Sequence, residues 1–312
     1  MKFQQTIRRL AVGVFFIGCF SEVQAQQDPQ FTQYMYNPNV INPAYAGSKD
    51  HVSIFGMYRA QWVGMEGAPK TATISATTPL GDQGLALGVN FMNDRVGVTD
   101  ENNISVDLSY TIDLNQDYKL AFGLKGTANL LSVEYSRLLV HNPSDPTFGS
   151  NIKNKFTPNI GAGLYLFSDK AYVGLSVPNF LSADRAKIEE EDVVLMRQKM
   201  HFYLTGGYVF ELNPSVKFKP ATMIKAVAGA PVQVDLSANF MFIDKFTLGV
   251  AYRWDDSVSG LAGFQVNDNL YVGYSYDANT SKLNNYNSGS HELFLRFDLF
   301  SRYSKLNAPR FF

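Results

Sequence analysis

Residues 104–114 read Ile-Ser-Val-Asp-Leu-Ser-Tyr-Thr-Ile-Asp-Leu, with an apolar residue at every even number and a polar one at every odd number. An unbroken period of two is the signature of a β-strand with two chemically different faces. The same alternation runs from Val232 to Phe240, and recurs in Leu120 to Ala128, Phe246 to Trp254, Leu270 to Asp277 and Glu292 to Phe300. Looser versions occupy residues 51–62, 71–78, 85–93, 160–167, 171–177, 201–211, 216–225 and 260–266. The chain is therefore read as all-β, with about fourteen strands.

Composition limits what such strands can build. The 312 residues are 46% hydrophobic and 14% aromatic but only 18% charged, below the roughly 25% of ordinary globular domains. Past residue 20 no apolar run approaches the roughly 18 residues of a transmembrane helix. With 24 Phe and 17 Tyr the chain is too apolar for disorder, and 27 basic against 28 acidic residues leave no excess for nucleic acid.

The polar positions of the strands decide between a soluble sandwich and a membrane barrel. They are small or uncharged, as at Ser105, Ser109, Thr111, Gly123, Thr127, Gly161, Gly163, Gly174, Ser176, Thr247 and Ser275, with isolated charges at Asp107, Lys125, Asp235, Arg253 and Arg296. A wall facing bulk water is free to carry many Lys and Glu; small residues suit a curved wall around a confined lumen. The apolar face carries Tyr58, Trp62, Tyr110, Tyr208, Tyr252, Trp254, Tyr274 and Tyr276 near strand ends, as aromatic girdles at a lipid interface require. A transmembrane antiparallel up-and-down β-barrel fits both faces.

Connections give an independent reading. Pro79 to Gly84, Asn115 to Asp117, Ser168 to Lys170, Asn213 to Ser215, Ile243 to Lys245 and Asn267 to Asn269 are short and rich in turn formers. Val63 to Lys70, Asp94 to Asn103, Asn129 to Lys155, Pro178 to Lys199 and Ala278 to Ser290 are longer, whereas Val227 to Pro231 and Asp255 to Ser259 are short. Outer-membrane barrels alternate short periplasmic turns with longer external loops, so both termini are expected in the periplasm of a cell with an outer membrane.

The N-terminus supports export. Lys2, Arg8 and Arg9 precede an apolar run from Leu10 to Phe20 and a polar stretch ending Val23-Gln24-Ala25, a secretory signal peptide over 1–25. A second reading places the cut before Cys19, the chain's one cysteine, as a lipidated N-terminus. Residues 26–50, with Asn37-Pro38 and Asn42-Pro43 among tyrosines, read as an irregular periplasmic segment at or inside the barrel mouth. Residues 51–300 are the barrel, and 301–312 a tail ending Phe311-Phe312.

Other constellations carry less chemistry. Residues 183–192, Ala-Asp-Arg-Ala-Lys-Ile-Glu-Glu-Glu-Asp, are a solvated loop or a short helix with an acidic cation- or cargo-binding face. His51, His141, His201 and His291 have no metal-ligand spacing. Ser290 and His291 are adjacent in a strand and so point to opposite faces, which argues against a catalytic pair. Gly206-Gly207 and Gly260 to Gly263 read as strand bends. Lys217, Lys219 and Lys225 share the luminal face of one strand, a positive stripe that Asp107 and Asp235 are placed to neutralise. No cofactor, metal or catalytic residue is expected.

The string DPQFTQYMYNPNVINPAYAGS, Asp28 to Ser48, resembles the N-terminal signature of the PorP/SprF family of type IX secretion outer-membrane proteins. The resemblance continues through Arg59, Gln61 and Trp62, GMEGAPKT (Gly64 to Thr71), KAYVGLSVPNFL (Lys170 to Leu181), GYSYD (Gly273 to Asp277) and GSHEL (Gly289 to Leu293). Its motif residues here are Asn37, Pro38, Asn42, Pro43, Tyr45, Gly47, Arg59, Gln61, Trp62, Gly67, Ala68, Pro69, Asp277, Ser290, His291 and Glu292. The resemblance implies a non-enzymatic barrel that supports export or surface anchoring of a cognate large adhesin with a C-terminal sorting domain, in gliding motility and protein secretion. It implies as partners that secreted adhesin, periplasmic or lipoprotein components of the type IX machinery, and outer-membrane lipid, with no nucleic acid. A general diffusion porin or small-molecule transporter is the competing reading. The long loops 129–155 and 178–199 are candidate surfaces for a cargo.

Overall fold

The computed structural model describes residues 29–81, 83–138, 151–182, 184–188 and 193–299. The expected signal peptide with Cys19, the tail 301–312, His141 and residues 189–192 of the acidic segment lie outside the described residues.

Seventeen strands are present among the described residues: β1 (Val52–Ala60), β2 (Lys70–Pro79), β3 (Leu85–Val96), β4 (Thr99–Asp113), β5 (Lys119–Val133), β6 (Ile152–Phe167), β7 (Ala171–Val177), β8 (Asp184–Ile188), β9 (Val193–Arg197), β10 (His201–Tyr208), β11 (Phe210–Asn213), β12 (Val216–Val227), β13 (Gln233–Phe242), β14 (Phe246–Arg253), β15 (Ser257–Gln265), β16 (Leu270–Asn279) and β17 (Ser290–Leu299). β10 and β11 are one stave interrupted at Val209, and β8 with β9 forms a separate hairpin within a loop. The remaining order is that of the chain, each strand antiparallel to the next, and β1 pairs with β17 from Val52↔Leu299 to Ala60↔His291. The result is a closed fourteen-stave antiparallel barrel, as the periodicity predicts.

The faces are assigned as the alternation requires. On β4, Asp107 and Ser109 are 0% exposed while Val106 and Leu108 are each 48% exposed. Apolar side chains face out and polar ones in, the reverse of a soluble sheet. Outward Tyr110 and Tyr208 ring the end carrying the short turns, and Tyr58, Tyr252, Trp254, Tyr274 and Tyr276 ring the end carrying the loops. These are called the turn end and the loop end below.

Beyond the expected connection over 129–155, which is strand to Val133 and again from Ile152, three details depart from the sequence reading. The connection expected over 94–103 is strand almost throughout: β3 and β4 stay paired to Val96↔Thr99, leaving only Gly97 and Val98 to turn, with Gly97 at φ 58°. Asn93 Nδ2 donates to Asp100 and Asn102, and these cross-strand bonds between polar residues extend the ladder past the apolar alternation. The described part of the acidic segment is a hairpin, β8 with β9, not a helix. β-branched Val193 and Val194 pair with Ile188 and Lys187, so strand pairing outweighs the helical charge pattern.

The third departure is the segment before β1. It does not stop at the mouth but runs the whole length of the lumen. Gln30 exchanges side-chain hydrogen bonds with Gln233 at the loop end, and Lys49 meets Asp298 at the turn end. Between them, three short 3-10 turns at Tyr34–Tyr36, Pro38–Val40 and Pro43–Gly47 fill the barrel. The described chain thus begins at one mouth of the barrel and leaves β17 at the other.

Candidate functional site

The lumen and its filling form the densest constellation of specific contacts. Wall glycines make room for the enclosed backbone. A Cβ at Gly123 would run into the main chain of Pro43 and Ala44, one at Gly163 into the Asn42 side chain, and one at Gly174 into Thr205 and Asn42. The inward small residues are therefore seats for the Asn42-Pro43-Ala44 turn as well as bends of a curved wall.

Irregular backbone buried in a lumen must find partners for its polar groups. Asn42 Oδ1 accepts from the Ala44 N–H at 3.0 Å, capping the last turn, while its Nδ2 donates to the Leu164 carbonyl at 3.0 Å. Pro43 follows at the first turn position, where a missing N–H costs nothing. Asn37 Nδ2 donates to Ser75 Oγ at 2.9 Å, and Asn39 Nδ2 to Asn90 Oδ1 at 3.0 Å. Lys125 Nζ donates to the carbonyls of Asn39 and Val40 while pairing with Asp107 at 3.2 Å. Ser109 and Thr111 hydroxyls donate to the carbonyls of Ala44 and Gly47.

Aromatic packing fills what remains. Tyr36 stacks on Tyr271 at 5.6 Å and meets Phe294 at a tilt at 4.9 Å, with Phe55 stacked on Phe294 behind, and Lys219 Nζ lies 5.3 Å from the Tyr36 ring centre. Tyr45 meets Tyr165 edge-on at 5.6 Å. The expected lysine stripe is consequently not an open positive surface. Lys217 pairs with Asp244 at 2.6 Å, Lys219 is buried against Tyr36, and Asp107 and Asp235 are engaged by Lys125 and Arg253 instead.

At the loop end a buried charge network fastens the segment to the wall. Arg59 Nη1 lies 2.7 Å from Asp277 and 3.1 Å from Glu292, with all three side chains no more than 3% exposed. Thr32 completes it: its hydroxyl donates to both Asp277 oxygens, and its N–H and that of Gln33 donate to the two Glu292 oxygens at 3.1 and 2.9 Å. Beside it, Arg253 grips Asp235 with two nitrogens, at 2.9 and 3.1 Å, and donates to the Phe31 carbonyl. The loop above is tied down by Trp62 N–H to Ser290 Oγ at 3.1 Å, Gln61 N–H to the Pro69 carbonyl and Gly97 N–H to the Gly67 carbonyl. Ala68 closes that turn by donating to Met65 O.

Fifteen of the sixteen family-motif residues fall into three groups. Asn37, Pro38, Asn42, Pro43, Tyr45 and Gly47 form the filling; Arg59, Asp277 and Glu292 hold its upstream end; and Gln61, Trp62, Gly67, Ala68 and Pro69 form the β1–β2 loop, tied to the wall through Ser290. His291 stands apart. It faces outward with Nδ1 2.6 Å from the Tyr274 hydroxyl, whereas Ser290 faces the lumen, so the strand geometry separates them as predicted. Thr32, Asn39 and Asn90 carry equal structural weight and stand outside the motif residues, although Thr32 and Asn39 fall within the Asp28 to Ser48 string; Gly123 and Gly163, legible only as small residues of a curved wall, are seats for the filling.

The profile of the family described as type IX secretion system membrane protein PorP/SprF matches residues 23–297. The chain belongs to the PorP/SprF family. No curated protein matches. Among solved structures it is similar to the CymD monoaromatic hydrocarbon channel, at 13% identity over 88% of this chain and 94% of that one, with a TM-score of 0.51. It is also similar to Omp33 of Acinetobacter baumannii, at 9% identity over 81% and 100% with a TM-score of 0.43, and to a FadL homologue of Pseudomonas aeruginosa, at 13% over 88% and 96% with a TM-score of 0.44. The likeness to CymD concerns the barrel fold alone.

Proposed function

We propose that this PorP/SprF barrel works as a closed, non-enzymatic fixture of the type IX secretion system in the outer membrane, supporting export or surface anchoring of a cognate large adhesin with a C-terminal sorting domain. The observation that carries this reading is the filled lumen. Residues 30–49 occupy the space through which a diffusion porin passes solutes, so the working surfaces are the rim, the loops and the two mouths. The turn end faces the periplasm in this reading, where components of the secretion machinery approach it, and the loop end with the β8–β9 hairpin faces the secreted partner. The leader 1–25 is removed, leaving a chain without thiols.

The reading is tested by purifying the protein in mild detergent from cells that secrete through this system and identifying what accompanies it. A large adhesin bearing a sorting domain, or components of the machinery, is the expected company. If deletion of the gene leaves every such adhesin on the cell surface and only slows uptake of a solute, the porin reading replaces this one.

A further inference from the structure

Once residues 30–49 are seated, a cavity of about 410 Å³ remains inside the turn end of the barrel. That volume lies within the range of ordinary ligand sites. Its inner end is closed by Tyr45, Ser48 and Lys49 of the enclosed segment, so a chain cannot pass through; it admits an end or a side group. One side is aromatic: Tyr165 stacks on Tyr172 at 5.6 Å and meets Tyr45 edge-on at the same distance. Flat apolar groups gain from such walls beyond their buried area.

The opposite side is polar and predominantly cationic at depth. Lys49 Nζ and Arg296 Nε lie 3.3 and 3.1 Å from Asp298, and His51 Nε2 lies 3.5 Å from it, so these groups share one carboxylate. The other aspartates of the cavity, Asp117, Asp169 and Asp268, sit on the turns at its rim. Two basic side chains around a single carboxylate leave the inner end with a local excess of positive charge.

We propose that this cavity binds the C-terminal end of a partner polypeptide, an aromatic residue bearing its free carboxylate. The ring lies against Tyr165 and Tyr172, and the carboxylate faces Lys49 and Arg296.

The experiment measures binding of two short probes, acetyl-Gly-Ser-Phe as the free acid and as the amide, to the whole detergent-solubilised protein by titration calorimetry. The acid is expected to bind at least about tenfold more tightly than the amide, the size expected for a charge-assisted hydrogen bond. Lys49→Met is expected to erase that difference, while Lys70→Met at the loop end leaves it intact. Slower migration of boiled than unboiled protein on a denaturing gel certifies that each variant is folded. Equal binding of acid and amide, no binding of either at millimolar concentration, or full acid preference in folded Lys49→Met would overturn the proposal. Binding that appears only after truncation behind Phe300 would overturn it as well, by assigning the cavity to the chain's own tail.

Discussion

Along β4 the wall repeats every two residues, Ile104, Val106, Leu108 and Tyr110 outward and Ser105, Asp107 and Ser109 inward, whereas residues 30–48 of the enclosed segment follow no period. The wall needs only that each position be of the right class, because its backbone bonds are made by the ladder whatever the side chains are. The segment has no ladder. Its carbonyls and amides depend on individual partners, Ser109, Lys125 and Glu292 placed by the wall and Asn42 of the segment itself. The wall should therefore tolerate substitution within a class, and the segment should not.

That contrast sets an order of expected effects. Arg59→Ala leaves Asp277 and Glu292 buried without their cation, and such a loss costs about 3–5 kcal/mol. Its check is a fall in the temperature at which folded and unfolded bands interconvert on a gel. The double change Arg59→Met with Glu292→Gln is expected to recover part of the loss; no recovery would mean that the network acts otherwise than by charge balance. Next comes a class violation on the wall. Leu124→Arg sets a cation at a lipid-facing position of β5 and is expected to cost about 2–4 kcal/mol where it lies near the bilayer midplane, measured by reversible unfolding in lipid. Asn42→Ala removes one turn cap and one bond to the wall, an expected loss of about 1–2 kcal/mol. Leu108→Ala, outward and within class, is expected to cost less than about 1 kcal/mol, because the side chain trades protein for lipid contact only at its edges. A Leu108→Ala loss equal to that of Asn42→Ala would break the distinction between the two regions.

The same contrast explains what is legible in the sequence. Residues 104–114 and 232–240 announce their strands because a two-faced wall must alternate, and the stave count follows from summing such stretches. The filling is legible only as a motif: Asn37-Pro38 and Asn42-Pro43 mark turns, but nothing local tells that Asn42 caps its own turn while reaching Leu164. The seats at Gly123 and Gly163 read as strand curvature, since a glycine's meaning there depends on what lies opposite it in space. Arg59, Asp277 and Glu292 are more than 200 residues apart at the extremes and meet only because β1 closes on β17. Closure is a property of the whole chain. The hairpin β8–β9 was obscured by a charge run that suits either a helix face or an exposed strand.

The central claim is that the barrel is shut by its own residues 30–49. Conductance across a planar lipid bilayer tests it most directly. The whole protein is expected to hold the baseline, and Gly163→Leu, which leaves no room for Asn42, to produce discrete openings. A steady, porin-sized conductance from the unaltered protein would contradict the account.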